Sequence, residues 1–323
     1  MKATAMTTTT FGHLCFPSLR VLGTLVALTL TLASPAASGA TIGSLLYGID
    51  EAGSIYEINP AEQSSTLVKT GASTTLANSL AYDAAREHLL FINKDLALQY
   101  WDRTSGSVTS LGNALSLTAG LDNAAYYDDA FWYFDTNSTV LHKASLTYTG
   151  STPSVGNISS FSITGMDATG DNTNTFGDIA IDTTQGILYA STSRGRFYSI
   201  DLADPENGFT EIAASLGSNR SVGLQLSFSA DNSTLYGHRY ADGTWYTINP
   251  ATGAATEIAG FLTLPTAGVG FRDLGGAAAV PEPSTLALAA IGMAGGLAHQ
   301  VRRRRMGASN ARRSSAPLPV SEG

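Results

Sequence analysis

The sequence predicts an all-β fold: a β-propeller of about five four-stranded blades, with a signal peptide ahead of it and one short transmembrane helix behind. Three observations lead there. A two-strand phrase recurs five times between residues 45 and 253, apolar segments of two different kinds bracket the middle of the chain, and a leftover strand near residue 270 matches one missing at residue 45.

The phrase begins at Leu45 (LLYGIDEAGSIYEINPAEQ) and returns at Leu89, Ala130, Ile187 and Thr234. Aligning Tyr47, Phe91, Tyr133, Tyr189 and Tyr236 gives spacings of 44, 42, 56 and 47 residues. A second position follows nine or ten residues later, at Tyr56, Tyr100, His142, Tyr198 and Tyr246. A period of about 40 to 50 residues built from short strands is what propeller blades require. Within each phrase two strands flank a polar turn, and Asn59-Pro60, Asp204-Pro205 to Gly208 and Asn249-Pro250 to Gly253 then turn the chain again. Asp and Asn cap such turns through their own backbone, Pro presets φ, and Gly takes φ > 0. A short outer strand follows, as in GSVTSLG and AATEIAG.

One more strand precedes four of the phrases: SLAYDAA, NAAYYDD, GDIAIDTTQG and QLSFSADNS. The first phrase has none, while GVGFRDLG (268–275) stands alone at the far end. Pairing the last segment into the first blade would close the ring and remove its open edge. An open solenoid or sandwich is the competing architecture. The third unit is the longest; TPSVGNISSFSITGMDATGDNTN reads as an insertion there and leaves room for a sixth, irregular blade.

Residues 1–40 read as a signal peptide. Lys2 and Arg20 supply a sparse positive region, Val21 to Leu32 an apolar core of 12 residues, and ASPAASGA small residues with cleavage after Ala40. A permanent membrane helix needs about 20 apolar residues. Cys15, the chain's one cysteine, lies in this leader, so the body from Thr41 carries neither disulfide nor thiolate chemistry.

At the other end Val280-Pro281-Glu282-Pro283 leads into the apolar stretch Leu286 to Ala298 and then Arg302, Arg303, Arg304 and Arg305. Proline fixes φ and removes backbone donors, so the first part stays extended. The short helix suits temporary retention, and the arginines stay on the cytoplasmic side. This order of motif, helix and arginine cluster resembles the PEP-CTERM sorting signal of Gram-negative bacteria. The resemblance implies an exported protein passing through the Sec translocon, transiently anchored in the inner membrane and cut near Pro281 to Pro283 by exosortase. Residues 279–305 would be that signal, 41–278 the repeat domain, and 306–323 a disordered tail longer than the family's usual one. The body itself resembles a broad group of bacterial propeller-like repeats, through Leu46-Tyr47-Gly48-Ile49 with Asn59-Pro60 and Leu235-Tyr236-Gly237 with Asn249-Pro250. That likeness implies fold, not activity.

Catalytic signatures are missing from the sequence: it has no G-x-S-x-G, P-loop, G-x-G-x-x-G or H-E-x-x-H. Residues 41–280 hold 24 acidic and 10 basic side chains, the wrong balance for nucleic acid. His88, His142 and His238 are scattered, which favours structural roles over a shared metal. Asp83, Asp182 and Asp231 recur at one repeat position and read as turn caps; Asp242-Gly243 reads as a hairpin turn. Asp167, Asp171 and Asp178 offer hard oxygen ligands of the kind Ca²⁺ takes, against the reading of a solvated Asx-rich loop. Trp101, Trp132 and Trp245 are either blade core or aromatic platforms for a ligand. The expected function is a non-enzymatic binding or structural propeller at the cell surface or in the extracellular matrix, with exopolysaccharide or surface proteins as partners. The alternative is a secreted polysaccharide-active hydrolase, which would need two carboxylates about 5 to 10 Å apart in one pocket.

Overall fold

A computed structural model describes residues 45–60, 62–73, 77–135, 138–165, 176–192, 195–216, 224–260 and 270–276. All lie in the unit Ile42–Gly323. The expected leader, the expected apolar helix and the disordered tail expected at 306–323 lie outside the described residues. Among the described residues no helix is long and apolar enough to cross a membrane.

The described chain folds into five four-stranded antiparallel sheets. The first, from the inside outward, is β20 (Asp273–Gly276), β1 (Leu46–Ile49), β2 (Ile55–Asn59) and β3 (Ser64–Lys69). The second is β4 (Asn78–Asp83), β5 (His88–Ile92), β6 (Leu98–Asp102) and β7 (Val108–Ser110). Then come β8 (Ala125–Tyr127), β9 (Ala130–Phe134), β10 (Val140–Thr149) and β11 (Thr152–Ser162). The fourth holds β12 (Phe176–Asp182), β13 (Ile187–Thr192), β14 (Phe197–Asp201) and β15 (Thr210–Ala213); the fifth holds β16 (Gln225–Phe228), β17 (Leu235–His238), β18 (Trp245–Ile248) and β19 (Ala255–Glu257). The five innermost strands contact one another in the cyclic order β20, β4, β8, β12, β16 and back to β20. This is a closed ring, a five-bladed β-propeller.

Closure is made where the leftover strand was expected. β20 pairs antiparallel with β1, Leu46 opposite Gly276 and Ile49 opposite Asp273, so the two ends of the ring are hydrogen-bonded in one sheet. The third unit corrects one expectation. TPSVGNISSFS is no insertion but the outer strand β11, paired to β10 from Thr149↔Thr152 to Val140↔Ser162 with a bulge in β11 at Gly156-Asn157, opposite Ser145. The blade is long because its two outer strands run 10 and 11 residues, and a sixth blade does not form among the described residues.

Burial explains why the second strand of each blade reads as a continuous apolar run. β5 and β9 are buried along their whole length, since both faces of the sheet meet a neighbouring blade. Alternate residues then serve opposite interfaces. Leu89 and Phe91 pack toward Tyr47, Ile49 and Leu80 of one cluster, while Leu90 and Ile92 join Phe131 and Tyr133 of the next. Each such Leu, Ile or Phe, fully buried, stabilises by about 1.5–3 kcal/mol. Gly48 in LYGI is small for the same reason: a Cβ there would sit 2.5 Å from the ring of Phe271. Trp101, Trp132 and Trp245 are 4%, 2% and 1% exposed, so they are blade core, the first of the two readings.

Candidate functional site at the axial mouth

Four aspartates act as the expected turn caps. The Asp83 carboxylate accepts the N–H of Ala85 and is paired with Arg86 at 3.1 Å; Asp182 accepts from Thr184 and Gln185; Asp231 accepts from Ser233. Asp242 caps its hairpin by accepting the N–H of Thr244, with Gly243 at φ 74°. The histidines occupy three different blades. His88 is fully buried beside Tyr100, and His142 stacks on Tyr133 and meets Asp135 at 2.9 Å. His238, 1% exposed, accepts the N–H of Phe271 through Nε2. Burial drives its pKa down to about 3, so it is neutral with the proton on Nδ1.

Down the ring axis the inner strands come very close together. Ala81, Ala125, Ala180, Ser227 and Gly275 line what is left, a cavity of about 40 Å³, room for roughly one water. A Cβ at Gly276 would fall 2.6 Å from the carbonyl oxygen of Phe228. The axis is therefore plugged by backbone and small side chains.

At the N-terminal ends of the inner strands sits a pair of acids, Asp178 of β12 and Asp273 of β20, both 0% exposed. Each ties its own blade to the next one round the ring. Asp273 accepts the N–H of Leu80 at 2.9 Å and of Leu274 at 2.7 Å; Asp178 accepts the N–H of Leu226 at 2.8 Å and of Ile179 at 2.7 Å. Ser79, at φ 61°, also turns its N–H to Asp273, so successive amides form a small anion nest. The two carboxyl groups are also hydrogen-bonded to each other across the axis. Burial, then the negative charge of Asp273, holds the Asp178 carboxyl far above the ordinary carboxylate range; burial pushes Asp273 up to about 7. Asp178, the more strongly raised of the two, is the donor of the pair and Asp273 the acceptor. Of the three residues considered for Ca²⁺, Asp178 has both oxygens engaged in this tie, and Asp167 and Asp171 lie outside the described residues.

Beside the pair a larger cavity opens, of about 230 Å³. Asn78, Asn93, Lys94, Asp122 and Arg272 supply its polar wall, and Ile92, Leu96 and Leu121 its apolar one. The β5–β6 turn is held stiff by Asn93, whose Oδ1 accepts the N–H of Asp95 and Ala97, and this places Lys94 at the rim. Asn78 Nδ2 donates to Asp122 Oδ1 at 3.1 Å, which fixes its amide orientation and leaves its Oδ1 buried without a hydrogen-bond partner. Arg272 lies over Tyr240, 5.7 Å from the ring centre, and 4.0 Å from Glu51; its Nε is buried and unpartnered as well. Burial raises the Asp122 pKa, with Arg272 and Asn78 pulling the other way.

The cavity was not expected from the sequence. Asp273 was within reach, because GFRDLGG repeats the start of FGDIAID, an acid followed by a branched aliphatic and a small residue. Asn78, Lys94, Asp122 and Arg272 belong to three separate stretches that only ring closure assembles.

Fold and C-terminal motif together define an exported propeller with its own sorting address. Residues 279–305 match the PEP-CTERM protein-sorting motif, so the chain carries the signal of a protein that passes the membrane and is processed by exosortase. That match contains Val280, Pro281, Glu282, Pro283 and Arg302 to Arg305, all outside the described residues, as is Ala40. No curated protein matches the chain. Among solved structures it is similar to one described as "Crystal structure of Nidogen/Laminin Complex", at 12% identity and a TM-score of 0.45, over 72% of this chain and 97% of that one.

Proposed function

We propose that the protein leaves the cell through the Sec translocon, is cut by exosortase near Pro283 and stays at the cell surface or in the extracellular matrix. There its propeller binds or scaffolds, without catalysing a reaction. The observation that carries this reading is the sorting motif at 279–305 directly behind the strand that closes the ring. Cleavage after residue 280 would leave the whole propeller intact, because its last described strand ends at Gly276.

Support for a non-catalytic role comes from the axial acids. Polysaccharide hydrolysis asks for two carboxyl groups about 5 to 10 Å apart with a sugar ring between them. Asp178 and Asp273 instead touch each other, are fully buried, and spend their oxygens on backbone amides. The test is the intact mass and location of the protein in hosts with and without exosortase. The expected result is loss of the residues after about Pro283, with release from the inner membrane, only when exosortase is present. An uncut protein held in the inner membrane in both hosts would overturn the proposal.

A further inference from the structure

We propose that two copies of this chain join edge to edge through the second half of β11, residues 158–162, paired antiparallel about a two-fold axis at Ser160. The inference stands on that edge alone and does not depend on where the protein is sorted.

An outermost strand presents a row of unpaired N–H and C=O groups, and folded proteins blunt such rows with brevity, charge, proline or a bulge. Four of the five blades comply. β7 and β19 are three residues long, and β3, β15 and β19 carry Lys69, Glu211 and Glu257. β11 runs 11 residues without a charge, and the chain has none between Lys143 and Asp167. Pro153 and the bulge at Gly156-Asn157 blunt its first half; nothing blunts the second. There the ladder fixes which groups face outward. Ile163 donates its N–H inward to Thr139 O, so by alternation Ile158, Ser160 and Ser162 turn their N–H and C=O away from β10. Ser160 and Ser162 are exposed, and among the described residues no strand lies beyond β11.

Charge selects a second copy as the occupant. Residues 41–280 hold 24 acidic and 10 basic side chains, so two copies repel over most of their surface and meet most easily along an uncharged strip. Laid antiparallel about Ser160, each Ile158 faces Ser162 of the other copy and Ser160 faces its own equivalent. That register satisfies the outward groups with about six backbone hydrogen bonds. Serine side chains are small enough for the strands to close to about 4.8 Å. The contact is isologous and joins two blades into one continuous sheet. So short a contact suits a weak dimer, with a Kd on the order of 100 µM, tightened by salt as the net negative charge is screened.

The test is sedimentation velocity on the exported full chain, over about a hundredfold range of concentration around that Kd. Like charges directly opposite each other destabilise a strand pair, and opposite charges favour it. Ser160→Lys alone and Ser160→Glu alone should each weaken association at least tenfold, and an equal mixture of the two should restore it. The Ser160 side chain is exposed and its Oγ meets His142 Nδ1 at the surface, so both variants should melt within a few degrees of the wild type. Ser162→Pro removes one outward N–H, leaves the pairing with β10 alone and should cause a similar loss, which keeps the test open if the charged variants fail to fold. A wild type that stays monomeric would overturn the proposal and leave the edge to an extended segment of another protein. A dimer that ignores these substitutions, or a mixture no tighter than either variant alone, would overturn it too. Release by exosortase is a separate measurement, so neither result bears on the other.

Discussion

Replacing Asp178 with asparagine separates the two things the axial acids do. In the wild type Asp178 keeps its proton and donates it to Asp273, while both of its oxygens accept backbone N–H groups. Asparagine can still donate to Asp273, but its amide nitrogen must then face either the Ile179 or the Leu226 N–H. One buried donor loses its acceptor, at about 1–3 kcal/mol. The pH dependence works in the opposite direction. A carboxyl with a raised native pKa stabilises the fold below the unfolded pKa, and that stability is lost as pH rises through the native value. For Asp273 the window runs from 3.8 to about 7. Asp273 stays buried in both proteins, so the difference between them is the proton that Asp178 alone retains, at about 1.4 kcal/mol per pH unit. The buried neutral His238, with its pKa lowered to about 3, acts against this in the wild type, because its stabilisation is lost as pH falls below the unfolded value. That contribution is common to both proteins and cancels in their difference. The assay is Tm by circular dichroism from pH 5 to 8 for wild type and Asp178→Asn. The variant should melt a few degrees lower at pH 5 and gain on the wild type as pH rises toward 8, by about 3–6 °C per pH unit at 2–4 °C per kcal/mol. A Tm difference that stays constant over that range would refute the shared proton.

Two further substitutions probe the ring itself. Gly48→Ala pushes a methyl into the ring of Phe271, which seals the joint between the last and first blades; a loss of about 1–3 kcal/mol in urea unfolding is expected, and no loss would mean that the joint gives way freely. Arg86→Ala removes the guanidinium that pairs with buried Asp83 at 3.1 Å and with Asp129 at 2.8 Å and lies 3.6 Å from the centre of the Tyr148 ring. Because Arg86 is itself about a third exposed, about 2 kcal/mol is expected, again by urea unfolding, and Arg86→Lys should restore only part of it.

Much of this molecule is set by local chemistry that can be read along the chain. The repeat period, the Asx and Gly turns and the leftover strand each report a local need: a strand length, a φ, or a missing hydrogen-bonding partner. Asp83, Asp182, Asp231 and Asp242 therefore do in the structure what their neighbours implied, and β20 pairs where the count of strands required. The sorting address is local as well, since a protease and a membrane read it in order along the sequence. What stayed hidden depends on closure. β11 looked like an insertion because an outer strand carries little apolar pattern when one face and one edge meet water. The tryptophans could not be assigned to core or surface until the blades were set face to face. Asp178 read as a loop ligand, and only the ring turned it inward to meet Asp273, 95 residues later in the chain. The cavity beside them joins the end of β5, the stretch before β8 and the residue before β20, so its chemistry exists only once the last strand has been laid against the first.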